Sequence, residues 1–349
     1  MIVDDWIAEK IGLPPGAVLD RGSLEAWQLE RLRETVAYAL SNSSFYRERF
    51  AGIADWFRGG KGLMSLDDLA LLPFTTPEDL AAQGARMVCV PARDVSRIVT
   101  LQPLSTTGTT GEPKRVWFTE ADQELMADYI HHGLPVMTGP SDVFLVLMPC
   151  ERPGSVGDLV ALGVERIGSR AVRIGAIPAD GSRDEETLEV MRTYGVTTGL
   201  MTARTAARLA RKSAGDAAIK AKMRTVLLSA QFVSDEDLKD IETLWECKAF
   251  EHYGMTEMGL GGAMACGVRE GYHPREADLL FEIVDPDTGA VLPDGEYGEV
   301  VFTTLTRQAM PLIRYRTGDH SRFLPEPCRC GSVLKRLDKV GDRPEKKPY

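Results

Sequence analysis

One ten-residue stretch, from Ser105 to Lys114, combines small, hydroxyl-bearing and basic residues in a way that a hydrophobic core cannot use. It reads Ser-Thr-Thr-Gly-Thr-Thr-Gly-Glu-Pro-Lys, with four threonines, two glycines and one lysine. Glycine lets backbone N–H groups approach an anion, hydroxyls donate further hydrogen bonds, and lysine adds a mobile positive charge. The stretch therefore predicts a loop that holds nucleotide phosphates, and the alternative is an ordinary turn rich in glycine and threonine.

The residues around this stretch exclude the P-loop of the common nucleoside triphosphatases. In that motif the lysine follows directly on a glycine, and the chain then runs into a helix. Here Glu112 and Pro113 separate Gly111 from Lys114, and β-branched and aromatic residues follow at 115–119. We therefore expect the phosphate loop to join two β-strands.

Short apolar runs alternate with amphipathic segments in the middle of the chain. The apolar runs, which are typical of buried strands, lie at 143–148, 172–177 and 225–228. The segments with helical periodicity lie at 24–40, 185–194, 203–212 and 234–245, with Ser23 and Ser234 as caps of the first and the last. This alternation predicts an α/β fold with helix-covered, mostly parallel sheets, in which ligands bind near the carboxyl ends of the strands.

The pattern changes after Leu279. Period-two alternation at 281–284 and 299–305, with a Pro-Asp-Gly turn between them, predicts a β-hairpin. We therefore divide the chain into an α/β core at 1–278, a smaller β-rich subdomain of the same core at 279–335, and a final segment at 336–349.

Charge and apolar patterning argue against two classes of partner. The chain has 51 acidic and 41 basic side chains and a formal net charge of −10, whereas a nucleic-acid partner would need a concentrated basic face. No apolar stretch approaches the roughly 20 residues of a membrane span, and the N-terminus lacks the pattern of a signal peptide. We expect a soluble cytoplasmic protein whose cysteines are reduced.

Two further motifs follow the loop along the chain. The residues from His252 to Glu257 read His-Tyr-Gly-Met-Thr-Glu, and those from Tyr315 to Asp319 read Tyr-Arg-Thr-Gly-Asp. Together with the loop, they resemble three motifs of the adenylate-forming superfamily, which includes acyl-CoA synthetases, peptide-synthetase adenylation domains and firefly luciferase. The opening helix further resembles that of the phenylacetate–CoA ligase type. The resemblance implies the α/β N-terminal core of that superfamily.

The resemblance also implies a site for ATP and magnesium. The phosphates would be held by the loop residues Ser105, Thr106, Thr107, Gly108, Thr109 and Lys114. Glu257 would bind Mg²⁺ as a hard oxygen ligand, and Thr256 would contact the α-phosphate. We therefore expect Lys114, Thr256 and Glu257 to act in catalysis.

Further residues would hold the adenine by the same resemblance. Tyr253 offers a flat ring for stacking, Gly254 beside it would also contact the nucleotide, and Glu251 would face the adenine amino group. The segment that flanks the other face of the adenine is Ser229, Ala230 and Gln231, where Gln231 departs from the more usual acidic residue.

The ribose contacts follow from the third motif. Asp319 would accept hydrogen bonds from both ribose hydroxyls, because a carboxylate can accept several such bonds at once. Arg343 would be a second ribose contact, and Arg316 is expected to serve structure rather than chemistry.

Four residues near the second and third motifs predict a zinc site. Three thiolates and an imidazole, from Cys247, His252, Cys328 and Cys330, are a ligand set typical of structural zinc. Cys266 and His273 are further candidate ligands, and the alternative is a set of unrelated residues.

The superfamily joins a carboxylic acid to ATP, releases pyrophosphate, and passes the acyl group of the resulting acyl-adenylate to a thiol. By analogy we expect a small carboxylic acid, in particular an aromatic one, and either coenzyme A or a carrier thiol as acceptor. We expect the acyl pocket at 148–158 and 259–264.

Full-length relatives continue past a hinge into a C-terminal domain that carries a lysine for adenylation and completes the thioester site. The residues from Asp342 to Glu345 resemble that hinge, and the sequence ends at Tyr349, so we expect the domain to be absent from this chain. Three alternatives stay open: the chain is part of a longer product, it works with a separate C-terminal-domain subunit, or it is a lidless protein. A homodimer also stays open. The alternative to an autonomous ligase is a non-catalytic or partner-dependent protein that binds ATP or acyl-adenylate.

Overall fold

The computed structural model of the protein describes residues 3–53, 62–91, 97–99 and 114–341. Its α-helices are Asp4–Lys10, Arg21–Asn42, Ser44–Arg49, Pro77–Met87, Glu120–Gly133, Val156–Arg166, Asp184–Tyr194, Ala203–Lys212, Ala217–Lys220 and Asp235–Trp245, and its 3₁₀ helices are Ala51–Ile53, Leu66–Leu71, Leu134–Val136 and Thr256–Met258. Its strands are β1 Arg97–Val99, β2 Val116–Phe118, β3 Val143–Val146, β4 Arg170–Arg173, β5 Thr198–Met201, β6 Thr225–Leu228, β7 Lys248–Tyr253, β8 Ala263–Met264, β9 His273–Pro274, β10 Leu279–Val284, β11 Gly298–Thr304 and β12 Tyr315–Ser321.

The largest sheet has seven strands in the order β4-β3-β5-β6-β7-β8-β9. Strands β3 to β7 pair in parallel, and β8 and β9 extend the sheet as antiparallel strands. Strand β7 therefore belongs to both parts of the sheet. The predicted α/β class with a mostly parallel, helix-covered sheet is confirmed.

Both faces of this sheet are covered, which explains why its strands are apolar throughout. Along β3, Phe144 and Val146 belong to one buried cluster, whereas Leu145 and Leu147 belong to a second. Successive side chains of a strand point to opposite faces, so the two clusters are the cores above and below the sheet. Every residue of β5 and β6 is buried as a result.

Two local predictions need correction. The opening helix begins at Arg21 and its cap is Asp20, whose carboxylate accepts a hydrogen bond from the backbone N–H of Ser23 at 2.9 Å. Asp20 is itself a strong capping residue and lies three positions before that N–H, so Ser23 falls inside the first turn. The apolar run at 172–177 contributes only its start to an edge strand, which ends at Arg173.

The β-rich part is a three-stranded antiparallel sheet in the order β10-β11-β12. Leu279 lies opposite Thr304, and Val284 lies opposite Glu299, which confirms the predicted hairpin. Strand β12 carries the Tyr-Arg-Thr-Gly-Asp motif and pairs with β11 through Phe302 and Tyr315. The residue limits of the domains stay a prediction.

The strands on either side of the phosphate loop also pair. Strand β1 runs antiparallel to β2, with Arg97 opposite Phe118 and Val99 opposite Val116. The two predicted strands are therefore confirmed. The predicted phosphate loop between them, including Ser105 to Thr109, lies outside the described residues.

The two ends of the described chain meet. Asp4, in the first helix, is buried, and its carboxylate accepts hydrogen bonds from the hydroxyl of Ser332 at 2.7 Å and the backbone N–H of Val333 at 3.4 Å.

Among the described residues, no helix is both long and apolar enough to cross a membrane.

Candidate functional site

The second motif begins where β7 ends at Tyr253, at the carboxyl edge of the parallel strands. Gly254 follows, and a Cβ at this position would lie 2.0 Å from the carbonyl oxygen of Leu260. Only glycine allows this close approach. The chain then turns through the 3₁₀ helix Thr256–Met258, which holds Thr256 and Glu257 beside the strand end.

Three separate segments converge on Glu257. The Lys114 ammonium lies 3.8 Å from its Oε1, and the Tyr315 hydroxyl donates to the same oxygen at 3.2 Å. Arg307 donates to the Glu257 backbone carbonyl at 2.5 Å. The Glu257 side chain is only 13% exposed, and these contacts fix the position of its carboxylate.

Arg307 is buried, and this burial lowers its pKa to about 10. The guanidinium therefore stays charged at neutral pH. It lies over the ring of Phe118, which is the last residue of β2. Arg307 thus connects the strand that follows the phosphate loop to the backbone of Glu257.

The third motif places Asp319 against Tyr253. The Tyr253 hydroxyl donates to Oδ2 of Asp319 at 3.0 Å. The backbone N–H of Asp319 donates to Oγ1 of Thr317, also at 3.0 Å, and Gly318 between them has a φ of +75° that glycine adopts without strain. The predicted adenine-stacking residue and the predicted ribose ligand are therefore direct neighbours.

Arg316 of the same motif forms a separate set of contacts. Its guanidinium pairs with the buried carboxylate of Glu299 and donates to the carbonyl of Pro286 at 2.8 Å. Glu299 in turn accepts a hydrogen bond from the Gly318 N–H at 3.0 Å. Arg316 thus supports the turn that carries Asp319, in agreement with the structural role predicted for it.

The predicted adenine-flanking segment, Ser229–Gln231, follows β6 directly. Since Leu228 is the parallel partner of Glu251 on β7, this segment lies beside the start of the second motif. Ala230 has a φ of +65°, in the left-handed region that residues other than glycine rarely adopt. The Ser229 hydroxyl and Nδ1 of His252 lie 3.3 Å apart.

Glu251 is half-buried, and its carboxylate accepts a hydrogen bond from the Tyr272 hydroxyl at 3.2 Å. Burial raises its pKa, and this effect exceeds the opposing effects of Lys339 and of Tyr272. Its carboxyl group, which Tyr272 holds in place, has oxygens that can accept a hydrogen bond from a heterocycle that presents a donor.

The predicted zinc ligand set is wrong in two of its four members. Cys247 and His252 lie near opposite ends of β7, about 16 Å apart at about 3.3 Å per residue, so they cannot share one ion. Burial raises the pKa of the Cys247 thiol to about 12 and lowers the pKa of His252 to about 4. Cys247 is therefore a neutral core thiol, and His252 is a neutral imidazole beside Ser229.

A different cluster contains the predicted pair Cys328 and Cys330. The ligand atoms of Cys266, His273, Cys328 and Cys330 all lie within 4.8 Å of one another. Cys266 and His273, which complete the cluster, are the two further candidate ligands that the sequence indicates. Their position could not be read from spacing alone, because strands β8 and β9 fold back beside β7 and bring them there.

Two contacts of this site are not predicted by the sequence, namely those of Arg307 and of the Tyr315 hydroxyl with Glu257, although Tyr315 stands in a recognised motif. Arg307 carries no local signal, since its contact with Glu257 exists only in the folded chain. Arg343, like Ser105, Thr106, Thr107, Gly108 and Thr109, lies outside the described residues.

The chain is similar to known proteins along most of its length. Residues 98–306 match the family model described as AMP-binding enzyme. Phenylacetate–coenzyme A ligase of Pseudomonas putida is 32% identical over 96% of this chain and 74% of its own length, and that of Escherichia coli strain K12 is 32% identical over 92% and 71%. A solved 2-hydroxyisobutyryl-CoA ligase, in complex with 2-HIB-AMP and CoA, shares the fold with a TM-score of 0.81 at 22% identity, over 95% of this chain and 72% of that one. The chain therefore belongs to the AMP-binding enzyme family of the adenylate-forming superfamily, and within it to the phenylacetate–CoA ligase type.

Proposed function

We propose that the protein activates a small carboxylic acid with ATP and transfers the acyl group to coenzyme A. The oxygen of the acid attacks the α-phosphorus of ATP, the bond to the bridging oxygen of pyrophosphate breaks, and an acyl-adenylate forms. The sulfur of coenzyme A then attacks the acyl carbon and AMP leaves. The observation that carries this proposal is the convergence of Lys114 and Tyr315 on Glu257, beside the pair formed by Tyr253 and Asp319.

Each side chain has a task in this reaction. The Asp319 carboxylate accepts from the ribose hydroxyls while the Tyr253 hydroxyl holds it in place. The ring of Tyr253 and the segment Ser229–Gln231 enclose the adenine, and Glu251 accepts from its amino group. Thr256 donates its hydroxyl to the α-phosphate, where negative charge develops during the attack.

The residues present fit a magnesium ion. Glu257 offers a carboxylate with little exposure, and Mg²⁺ in nucleotide sites commonly takes one or two carboxylates together with substrate phosphates and water. Magnesium, when bound, would neutralise phosphate charge so that a second anion can approach. Lys114 lies on the same carboxylate and supplies a mobile positive charge for the β- and γ-phosphates.

The acid is proposed to be aromatic because the relatives that match along nearly the whole chain are phenylacetate–coenzyme A ligases. The expected pocket region contains tightly packed glycines. A Cβ at Gly261 would lie 2.6 Å from a ring carbon of Tyr129, and one at Gly157 would lie 2.6 Å from the Met148 carbonyl oxygen. Gly261 thus brings the backbone against Tyr129 and close to the neutral imidazole of His252, and we propose these two rings as walls of the acyl pocket.

ATP–pyrophosphate exchange over a panel of aryl and short aliphatic acids tests this function. We expect one class of acid to stimulate exchange in the wild type, and we expect Glu257→Ala to abolish it while the fold is retained. Glu246→Ala, at an exposed position, is the matched control. Binding of Mg-ATP without exchange for any acid would instead favour a protein that binds the nucleotide and depends on a partner for turnover.

A further inference from the structure

A cluster of three cysteines and one histidine lies away from the nucleotide contacts. Cys266 follows β8 by two residues, His273 lies on β9, and Cys328 and Cys330 lie in the turn after the β-rich sheet. Three of the four side chains are buried, and Cys330 is half-buried. Two distant parts of the chain, at 266–273 and 328–330, thus meet at this cluster.

The distances within the cluster match those around a tetrahedral zinc ion. The sulfurs of Cys266 and Cys328 are 3.8 Å apart, and the sulfur of Cys330 is 3.4 Å from Nε2 of His273. Zinc bonds of about 2.3 Å to sulfur and about 2.05 Å to nitrogen place tetrahedral ligands about 3.8 Å apart for two sulfurs and about 3.6 Å apart for sulfur and nitrogen. A disulfide would need about 2.05 Å between sulfurs, and it would leave the third thiol and the imidazole unexplained.

The surroundings of the cluster prepare the ligand atoms for a metal. Nδ1 of His273 lies 3.2 Å from the carbonyl oxygen of Lys335, so Nδ1–H donates there and the lone pair of Nε2 faces the thiols. The Cys330 N–H donates to the sulfur of Cys328 at 3.5 Å. The buried guanidinium of Arg336 donates to the backbone carbonyls of Glu270 and Glu326 and places positive charge near Cys328.

We propose that Cys266, His273, Cys328 and Cys330 bind a structural zinc ion that fastens the turn at 328–330 to strand β9. Four protein ligands complete a tetrahedron and leave no open position for substrate, so the ion has no direct part in catalysis. This inference stands on the cluster alone and does not depend on the proposed ligase activity.

The ion would also stabilise one wall of the nucleotide site. Tyr272 pairs with Leu337 through two backbone hydrogen bonds of 2.8 and 2.9 Å, so the segment after the turn lies directly beside β9. The hydroxyl of Tyr272 holds Glu251, the predicted adenine contact. Loss of the ion would loosen the segment that fixes Tyr272 and would thereby weaken the position of Glu251.

Metal analysis of the full chain, purified without added metal, tests the proposal. We expect about one zinc per chain in the wild type and a fall of about fivefold or more in Cys266→Ala and Cys330→Ala. Cys247→Ala and Cys150→Ala remove cysteines outside the cluster and should keep the zinc content of the wild type. A second measurement, the absorption spectrum of wild-type protein produced with cobalt(II), should show thiolate-to-metal charge transfer and tetrahedral cobalt even if a variant fails to fold.

Three results would overturn the proposal. The first is wild-type protein that holds no near-stoichiometric zinc, either as purified or after incubation of the reduced chain with zinc. The second is a disulfide between Cys266 and Cys328 in protein alkylated without prior reduction. The third is an equal loss of zinc from a Cys247→Ala variant that keeps its fold, which would show that the ion is bound outside this cluster.

Discussion

The hydroxyl of Tyr315 offers a sharp test of how the proposed magnesium carboxylate is positioned. Tyr315→Phe removes the donor to Oε1 of Glu257 and keeps the ring, which is buried and lies 5.4 Å from the ring of Phe302. The packing of the core is therefore retained. The Lys114 ammonium, at 3.8 Å and partly exposed, would then draw the Glu257 carboxylate out of its present position.

The size of the effect follows from the geometry. A hydrogen bond to a charged group contributes about 1.5–3 kcal/mol, and the length of 3.2 Å places this one at the lower end. A loss of about 1.4 kcal/mol corresponds to about a tenfold change. We expect kcat/KM of the proposed adenylation to fall about tenfold and the Mg²⁺ concentration for half-maximal rate to rise by a similar factor.

The assay is pyrophosphate exchange at varied Mg²⁺, with thermal unfolding measured in parallel. The matched control is Tyr46→Phe, since Tyr46 is also fully buried and donates to the backbone carbonyl of Pro311 at 3.0 Å. It should lower stability without changing the Mg²⁺ dependence. If Tyr315→Phe changed only stability, and its Mg²⁺ dependence equalled that of the wild type, the hydroxyl would have no positioning role.

Three other substitutions test separate parts of the site. Asp319→Asn should weaken ATP binding about tenfold or more in isothermal titration calorimetry, because the carboxylate accepts from both ribose hydroxyls. The binding of 2′-deoxy-ATP, which lacks one of these hydroxyls, should weaken less. Equal losses for the two nucleotides would contradict this assignment. Ala230→Gly should raise the free energy of unfolding in urea by about 0.5–1 kcal/mol. It removes the strain of a φ of +65°, and this gain exceeds the entropic cost of glycine. A lowered free energy of unfolding would show that packing of the alanine methyl group stabilises the fold. Burial raises the pKa of Glu251 in the folded chain above its value in the unfolded chain. Between these two pKa values the folded chain binds more protons than the unfolded chain. The free energy of unfolding therefore falls as pH rises through that range. Glu251→Gln should flatten this part of the stability–pH curve and raise stability above it, whereas Glu246→Gln at an exposed position should reproduce the wild-type curve.

Much of this architecture was predictable because local chemistry determines it. The apolar run at 225–228 is a strand since both faces of the sheet are covered, and Ser234 caps the last long helix through a hydrogen bond of 3.1 Å from the N–H of Asp237. Gly254 was recognisable within its motif because the approach of the Leu260 carbonyl permits no side chain. Residues under such local constraints can be predicted from the sequence.

The rest depends on contacts between distant parts of the chain, which no local pattern records. The choice between Cys247 and Cys266 as metal ligands is decided by the antiparallel return of β8 and β9 along β7. Arg307 is separated from Glu257 by 50 residues in sequence, so no local pattern predicts its hydrogen bond to the Glu257 carbonyl. Spacing in sequence predicts a ligand pair such as Cys328 and Cys330, but it cannot choose the partners that the tertiary fold brings to them.

The contact between Asp4 and Ser332 has a consequence for synthesis on the ribosome. The two residues are 328 positions apart, so the first helix stays without its final polar partner until nearly the whole described chain has emerged. Buried carboxylates are costly while they lack partners, and long-range closures of this kind are slow. Folding intermediates would therefore hold the N-terminal helix loosely, and a nascent chain that stops before residue 332 would present its apolar face to chaperones and proteases.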